Sequence, residues 1–268
     1  MRYAIAIAAA VLLGCASLHA ESAIATSGMR VAGAANPLAG KKLRYKIGAT
    51  DPGKGSAGEI VEVGYDWNAP LPAGFSIAYA NLFNEKYSEQ SAAERAEYGP
   101  YLKTSDTAEE YGEGQVDPLG PGWRRNLVEQ FQRRRQQGFH YIELDNADAY
   151  SVADVVGAVE LAAQYDLKVI AKNPQLMQGD PLPYVAHPNV YGIIVEKGAG
   201  TAHEMQTLRS RGGKPALPVW FVFFDRGDGR DTAKKAAKET AAHAQEYANM
   251  SVTYSPDGEY TSAIDDPA

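Results

Sequence analysis

The sequence predicts an α/β protein, a (β/α)8 TIM-like barrel that is irregular in its first half. Three observations predict it. Eight short apolar runs, each bounded by Gly, Pro, Asn or Asp, read as strands. The last five are separated by helical patterns, the alternation of βαβ units and a parallel sheet. A chain of 268 residues, 45% of them hydrophobic, suits one large domain with a sizeable core.

The N-terminal end reads as a targeting segment. Met1-Arg2, the apolar run Ala4–Leu13 and the small residues up to Ala20 are expected to form a signal peptide over 1–20. The apolar run is too short to span a bilayer. Cys15, the single cysteine, closes that run in Leu12-Leu13-Gly14-Cys15, a pattern that resembles a lipoprotein signal. Two outcomes stay open: Cys15 is lipidated and becomes the mature N-terminus, or the protein is simply secreted. In both cases export from a bacterial cell is expected, to the periplasm, the medium or the outer membrane as a lipoprotein. Membrane contact is expected only through that lipid. The mature chain has no disulfide to lean on. Residues 21–42, rich in Ala, Gly and Ser, read as a flexible tether. Residues 43–268 read as a single barrel domain, expected to be a monomer.

The eight strands are expected at Leu43–Ala49, Ile60–Tyr65, Phe75–Leu82, Phe139–Asp145, Lys168–Asn173, Val190–Glu196, Pro218–Phe224 and Met250–Tyr254. Only Thr50–Glu59 and Trp67–Gly74 separate the first three, too little for crossover helices. The barrel therefore begins with a hairpin-like pair, or one of those runs is not a barrel strand. Between Phe83 and Gly122 lies a long insertion rich in Tyr and Glu, of the kind that covers active sites. Gly122–Gln137 places Trp123, Leu127 and Phe131 four apart, and Arg133-Arg134-Arg135 read as a solvated helix face. Ser151 caps the next helix, and Thr201 to Glu204 form a capping box. Asp231–Tyr247 is an alanine-rich helix, packing through Ala233, Ala237, Ala241 and Ala244.

The stretch Gly138–Tyr150 concentrates the chemistry. Alternation along its strand puts Tyr141, Glu143 and Asp145 on one face, with the turn Asn146-Ala147-Asp148-Ala149 following at once. In an α/β barrel the C-terminal strand ends carry the reacting groups. The competing reading is a polar strand exit whose Asp and Asn only cap the next helix. A net charge of −7 gives no attraction to nucleic acid and favours a cationic substrate. Nucleotide, serine-hydrolase and zinc-protease motifs are missing, and the five histidines are scattered. No cofactor and no metal site are expected.

Leu119-Gly120-Pro121-Gly122-Trp123-Arg124, the Arg-rich helix, and then Gly138, Phe139, Asp145, Asn146, Asp148 and Tyr150 resemble glycoside hydrolase family 114, the endo-α-1,4-polygalactosaminidase-like barrels. The family pattern is a Trp-containing segment, a helix, and a strand ending in D-N-x-D-x-Y. Lys172-Asn173 and Glu196 match two further strand ends. The resemblance runs from about Leu119 to Lys197. The chain departs from it at His140-Tyr141, where the family has Asp-Gly. The resemblance implies a (β/α)8 barrel, a polysaccharide substrate, and Asp145 with Glu196 as the catalytic pair.

Glycoside hydrolysis needs two carboxyls flanking the scissile bond. Asp145 and Glu196 are the expected pair; the sequence leaves open which is the acid, and the working assignment takes Asp145 as nucleophile or base and Glu196 as acid. The other reading of Glu196 is a strand-exit carboxylate paired with Lys197. Glu143 is expected to point into the barrel one layer down, supported by Lys172. Asn146, Asp148, Tyr150, Lys172, Asn173 and Asp225 are expected to contact substrate. Asp148 and Tyr150 also read as supports of their turn, Asn173 as a cap and Asp225 as a turn residue. Trp67, Tyr79 and Trp220 read as sugar-stacking aromatics or as core. Two other functions stay open: an inactive carbohydrate-binding surface protein, and a phosphodiesterase barrel holding a divalent cation on Glu143 and Asp145.

Overall fold

The computed structural model describes residues 35–46, 59–64, 67, 75–103, 112–196, 198, 200–224 and 230–255. The expected signal segment with Cys15, the part of the expected tether up to residue 34, Lys197 and Asp225 lie outside the described residues.

The chain order is β1 (Lys42–Lys46), β2 (Glu59–Val63), β3 (Phe75–Asn81), α1 (Ala92–Tyr98), β4 (Tyr101–Lys103), β5 (Gln115–Val116), α2 (Pro121–Gln136), β6 (Tyr141–Asp145), α3 (Val152–Gln164), β7 (Lys168–Lys172), α4 (Leu182–Ala186), β8 (Val190–Glu196), α5 (Ala202–Arg211), β9 (Val219–Phe224), α6 (Arg230–Ala244) and β10 (Met250–Ser255). Eight of the strands form one sheet in the order β1-β2-β3-β6-β7-β8-β9-β10. Every pairing in it is parallel. The last strand meets the first where Thr253 Oγ1 donates to the Leu43 carbonyl at 2.9 Å. The sheet is a nearly closed (β/α)8 barrel.

All eight expected strands are present, within a few residues of their expected bounds. The irregular start is resolved against both readings given above. The connections 47–58 and 64–74 join parallel neighbours, so there is no hairpin-like pair and no run is lost from the barrel. The β4–β5 ribbon is antiparallel and belongs to the insertion between β3 and α2.

Period-2 alternation splits the core into two layers. Outward residues such as Val61, Ala78, Ile142, Val169, Ile193 and Phe221 pack on the helices through Leu127, Phe131, Val155, Val159 and Met205. Inward residues Leu43, Ile60, Ile77, Tyr141, Ile170, Ile194, Trp220 and Val222 fill the lower lumen. Trp220 is core here, packed in the lumen cluster. Its indole occupies the space a side chain at Gly192 would need, which is why glycine stands there. Trp67 is likewise buried in the outer layer.

The folded region begins before residue 43. Leu38, expected in the tether, is fully buried in the lumen cluster. Asn36 Nδ2 donates to the Tyr191 carbonyl at 2.8 Å, and Trp220 Nε1 donates to the Lys41 carbonyl at 2.8 Å. Residues 36–41 therefore close the lower mouth of the barrel. Lumen side chains at that mouth would otherwise face water, and burying a leucine there is worth about 2 kcal/mol.

The arginine run is also different from its expectation. Arg134 is fully buried, not solvated. Its Nε donates to the Tyr79 carbonyl at 3.2 Å and its Nη2 to the Gly64 carbonyl at 2.9 Å. Gln130 donates to the Asn81 carbonyl (2.7 Å) and accepts from the Asn81 amide (2.9 Å), and Asn126 donates to the Phe83 carbonyl (3.0 Å). Asn126, Gln130 and Arg134 stand four apart on α2 and form a polar spine. It satisfies the backbone where β3 leaves the sheet.

Candidate functional site

The site lies at the C-terminal ends of β3, β6, β7 and β8. Its centre is Lys172, the last residue of β7. Its Nζ lies 2.9 Å from Glu143 Oε1, 3.2 Å from Asp145 Oδ2 and 3.2 Å from Glu196 Oε1. Burial opposes the charge of Lys172, but Asp145, Glu143 and Glu196 outweigh it and hold its pKa well above the ordinary lysine value. The side chain is a fixed cation with carboxylates around it.

Asp145 ends β6. Its Oδ2 accepts from the Tyr79 hydroxyl at 2.7 Å, and its Oδ1 accepts from the Asn146 amide at 2.8 Å. Asn146 makes that bond because it adopts the left-handed conformation, φ 58° and ψ 24°, which Asn tolerates better than most residues. Asn173 repeats the device at the end of β7, with φ 43°. Its Oδ1 accepts from the Glu196 amide at 2.8 Å. Asn173 therefore fixes the backbone of the second carboxylate, and it makes no side-chain cap of the following turn.

Glu143 points into the barrel as expected and is fully buried; burial raises its pKa while Lys172 pulls it back. Asp148 is exposed at the rim, and partial burial of its carboxyl pushes its pKa up. Tyr150 takes the second of its two expected roles, as a support of its turn. It is buried against Phe83 and Trp123, and its hydroxyl donates toward the carbonyls of Leu82 (3.0 Å) and Val116 (3.1 Å). A side chain so enclosed ties the insertion to the β6 turn.

Four residues of this site escaped the sequence reading or were left in doubt. Tyr79 on β3 is one; burial, with Asp145 and Glu113 beside it, drives its pKa well up, so its hydroxyl stays a donor. Asn81, two residues on, gives Nδ2 to the Tyr79 oxygen at 3.1 Å and to Glu113 Oε1 at 2.8 Å, and accepts from Asn146 Nδ2 at 2.7 Å. Glu113 comes from the insertion. An antiparallel bridge, with Asn84 and Gly114 exchanging bonds of 2.8 and 3.0 Å, lays it beside Asn81. A side chain at Gly114 would collide with the rings of Tyr87 and Tyr101. Burial raises the Glu113 pKa to about 7. Glu62 on β2 is the fourth, fully buried and in contact with Glu143; burial and the Glu143 charge push its pKa well above the usual range.

Strand parity carried the signal for Glu62, Tyr79 and Asn81. Ile60 and Glu62 share one face, as do Ile77, Tyr79 and Asn81, so all three polar side chains point inward. Nothing local marks Glu113, because the insertion has no period to read. Among the described residues no group of three His, Cys, Asp or Glu side chains is placed to hold a metal ion. Where Glu143 and Asp145 converge, the Lys172 ammonium occupies the place between them.

Comparison with known proteins gives one kind of result. No family model matches the sequence, and no curated protein matches it either. Solved structures match in fold. The structure of Aspergillus fumigatus Ega3 in complex with galactosamine superposes with a TM-score of 0.62 at 17% identity, covering 86% of this chain and 96% of that one. The glycoside hydrolase domain of PelA from Pseudomonas aeruginosa superposes with a TM-score of 0.54 at 14% identity, covering 84% and 98%. A variant of that domain gives 0.58 at 12% identity, with the same coverage.

Proposed function

We propose that the chain is a glycoside hydrolase that cleaves an α-linked amino-sugar polysaccharide of galactosamine type, with Asp145 and Glu196 as its two catalytic carboxyls. One observation carries the proposal. Asp145 Oδ2 and Glu196 Oε1, from strand ends two apart in the barrel, each lie 3.2 Å from the same ammonium. The two oxygens are thus no further apart than twice that distance. Retaining glycosidases hold their carboxyls about 5–5.5 Å apart, and inverting ones about 6.5–9.5 Å. The spacing favours the retaining route.

In that route Asp145 attacks the anomeric carbon, and Glu196 gives its proton to the leaving glycosidic oxygen. The glycosyl–Asp145 ester forms as the glycosidic bond breaks. Water, deprotonated by Glu196, then displaces Asp145 and restores both groups. Tyr79 and the Asn146 amide aim the Asp145 carboxylate. The carboxylates of Glu143 and Asp145 outnumber the one lysine at the centre, and Asp148 stands at the rim above them, so the mouth favours a sugar carrying a free ammonium. The fold likeness to a protein bound to galactosamine and to a glycoside hydrolase domain supports the same reading.

An inactive binding protein would have no need of two carboxylates clamped on one cation. A cation-dependent phosphodiesterase is disfavoured because Lys172 already neutralises Glu143 and Asp145. Export, with or without a lipid on Cys15, belongs to the proposal. The deciding experiment is release of reducing ends from an α-1,4-galactosamine polymer, with Asp145→Asn and Glu196→Gln alongside. Activity that collapses in both variants supports the pair. A folded protein that binds the polymer and releases nothing would overturn it.

A further inference from the structure

Glu62 and Glu143 reach into the lumen from β2 and β6, close enough for each carboxyl to act on the other's charge. Both residues are fully buried. Lys172 Nζ lies 2.9 Å from Glu143 Oε1. Apart from it, no donor among the described residues reaches any of the four carboxyl oxygens. Two ionised carboxylates cannot share such a place. Each would forgo several kcal/mol of hydration, and their mutual repulsion would add to that. A single proton between them turns the repulsion into a charge-assisted hydrogen bond. The ammonium stands on the Glu143 side, so Glu143 is the anion and Glu62 the acid.

We infer that Glu62 is held as a neutral carboxylic acid at neutral pH, donating its proton to Glu143 and so fixing the anion that orients Lys172 between Asp145 and Glu196. Glu62 is a positioning residue, since it acts through Glu143 and Lys172 and touches no reacting atom. The charged groups that act on it are Glu143 from β6, Lys172 from β7 and Glu196 from β8. The link from Glu62 to turnover rests on the glycosidase reading above; the location of the proton does not.

The test compares the whole protein with Glu62→Gln and Glu62→Leu. Glutamine is the isosteric stand-in for a protonated glutamate, since its amide N–H replaces the carboxyl proton. Infrared difference spectra of wild type and Glu62→Gln at neutral pH should show a carboxylic-acid carbonyl band in the wild type alone. That band should shift in D2O. Glu62→Gln should keep kcat/KM within about threefold and the pH profile unmoved, whereas Glu62→Leu should lose at least about tenfold. The leucine variant leaves Glu143 with Lys172 as its remaining donor, so Glu143 takes up a proton more readily than in the wild type. The negative charge beside the catalytic pair is weakened, and the profile is displaced to lower pH. A residue with only a packing role would change the unfolding midpoint and leave the profile in place. Identical infrared spectra, or a displaced profile in Glu62→Gln, overturn the inference. If no variant cleaves any amino-sugar polymer, the glycosidase reading fails, and the infrared band still decides where the proton is.

Discussion

The Tyr79 hydroxyl donates to Asp145 Oδ2 at 2.7 Å, and Asn81 Nδ2 supports the same phenol oxygen at 3.1 Å. Two residues of β3 thus aim a carboxylate that ends β6. Because the Tyr79 pKa is driven well up, the donor persists across the working pH range. Tyr79→Phe removes one charge-assisted bond, worth about 1.5–3 kcal/mol. We expect kcat to fall by about 10- to 100-fold with KM little changed. Steady-state kinetics on the polymer decide it, and a fall confined to KM would reassign Tyr79 to binding.

Lys172→Met should be more damaging to the fold than to substrate binding. It leaves Glu143, Asp145 and Glu196 facing one another without their shared cation. Removing one partner of a buried ion pair costs about 3–5 kcal/mol. The raised lysine pKa gives the sign with pH. This stabilisation is complete below the unfolded lysine value of 10.5 and is lost only as pH rises through the higher folded value. Urea unfolding of the variant should therefore show its full deficit throughout the neutral range.

Glu113 gives a different pH dependence. Its folded pKa of about 7 lies above the ordinary value of 4.5. The folded state holds the proton longer, so the contribution is complete below 4.5 and is lost as pH rises toward 7. A shift of this size is worth up to about 3 kcal/mol. The stability difference between wild type and Glu113→Gln should move by up to that amount, against the wild type, across this window. Unfolding curves at its two ends measure the change, and a flat difference would show that Glu113 is already ionised.

Leu38→Ala tests where the domain begins. The side chain is fully buried among lumen residues. Truncating a buried leucine costs about 2–5 kcal/mol. A thermal midpoint left unchanged would return residues 36–41 to the tether.

The eight strands were legible because parallel barrel strands are short apolar runs between turn residues, and β8 matches its expected bounds, Val190–Glu196. Asp145, Glu196 and Lys172 were legible as polar endings of such runs. Arg134 was not, since a charge run at the end of a helix normally faces water. Only the tertiary demand of the Tyr79 and Gly64 carbonyls draws it in. Tyr150 was read both as a substrate contact and as a support of its turn, and the sequence could not choose between them. Its motif position is on the site's turn, yet the turn swings the ring inward toward Phe83 and Trp123. Glu113 required knowledge of how the insertion folds back, and that rests on one bridge between residues 84 and 114.

The plug at residues 36–41 separates the two ends of the barrel. The polypeptide enters the barrel at Asn36, beside the start of β8 and on the face opposite the carboxylates. The plug and the carboxylates thus lie at opposite ends of the barrel, so a substitution among residues 36–41 loads the fold and leaves the ion-paired cluster around Lys172 untouched.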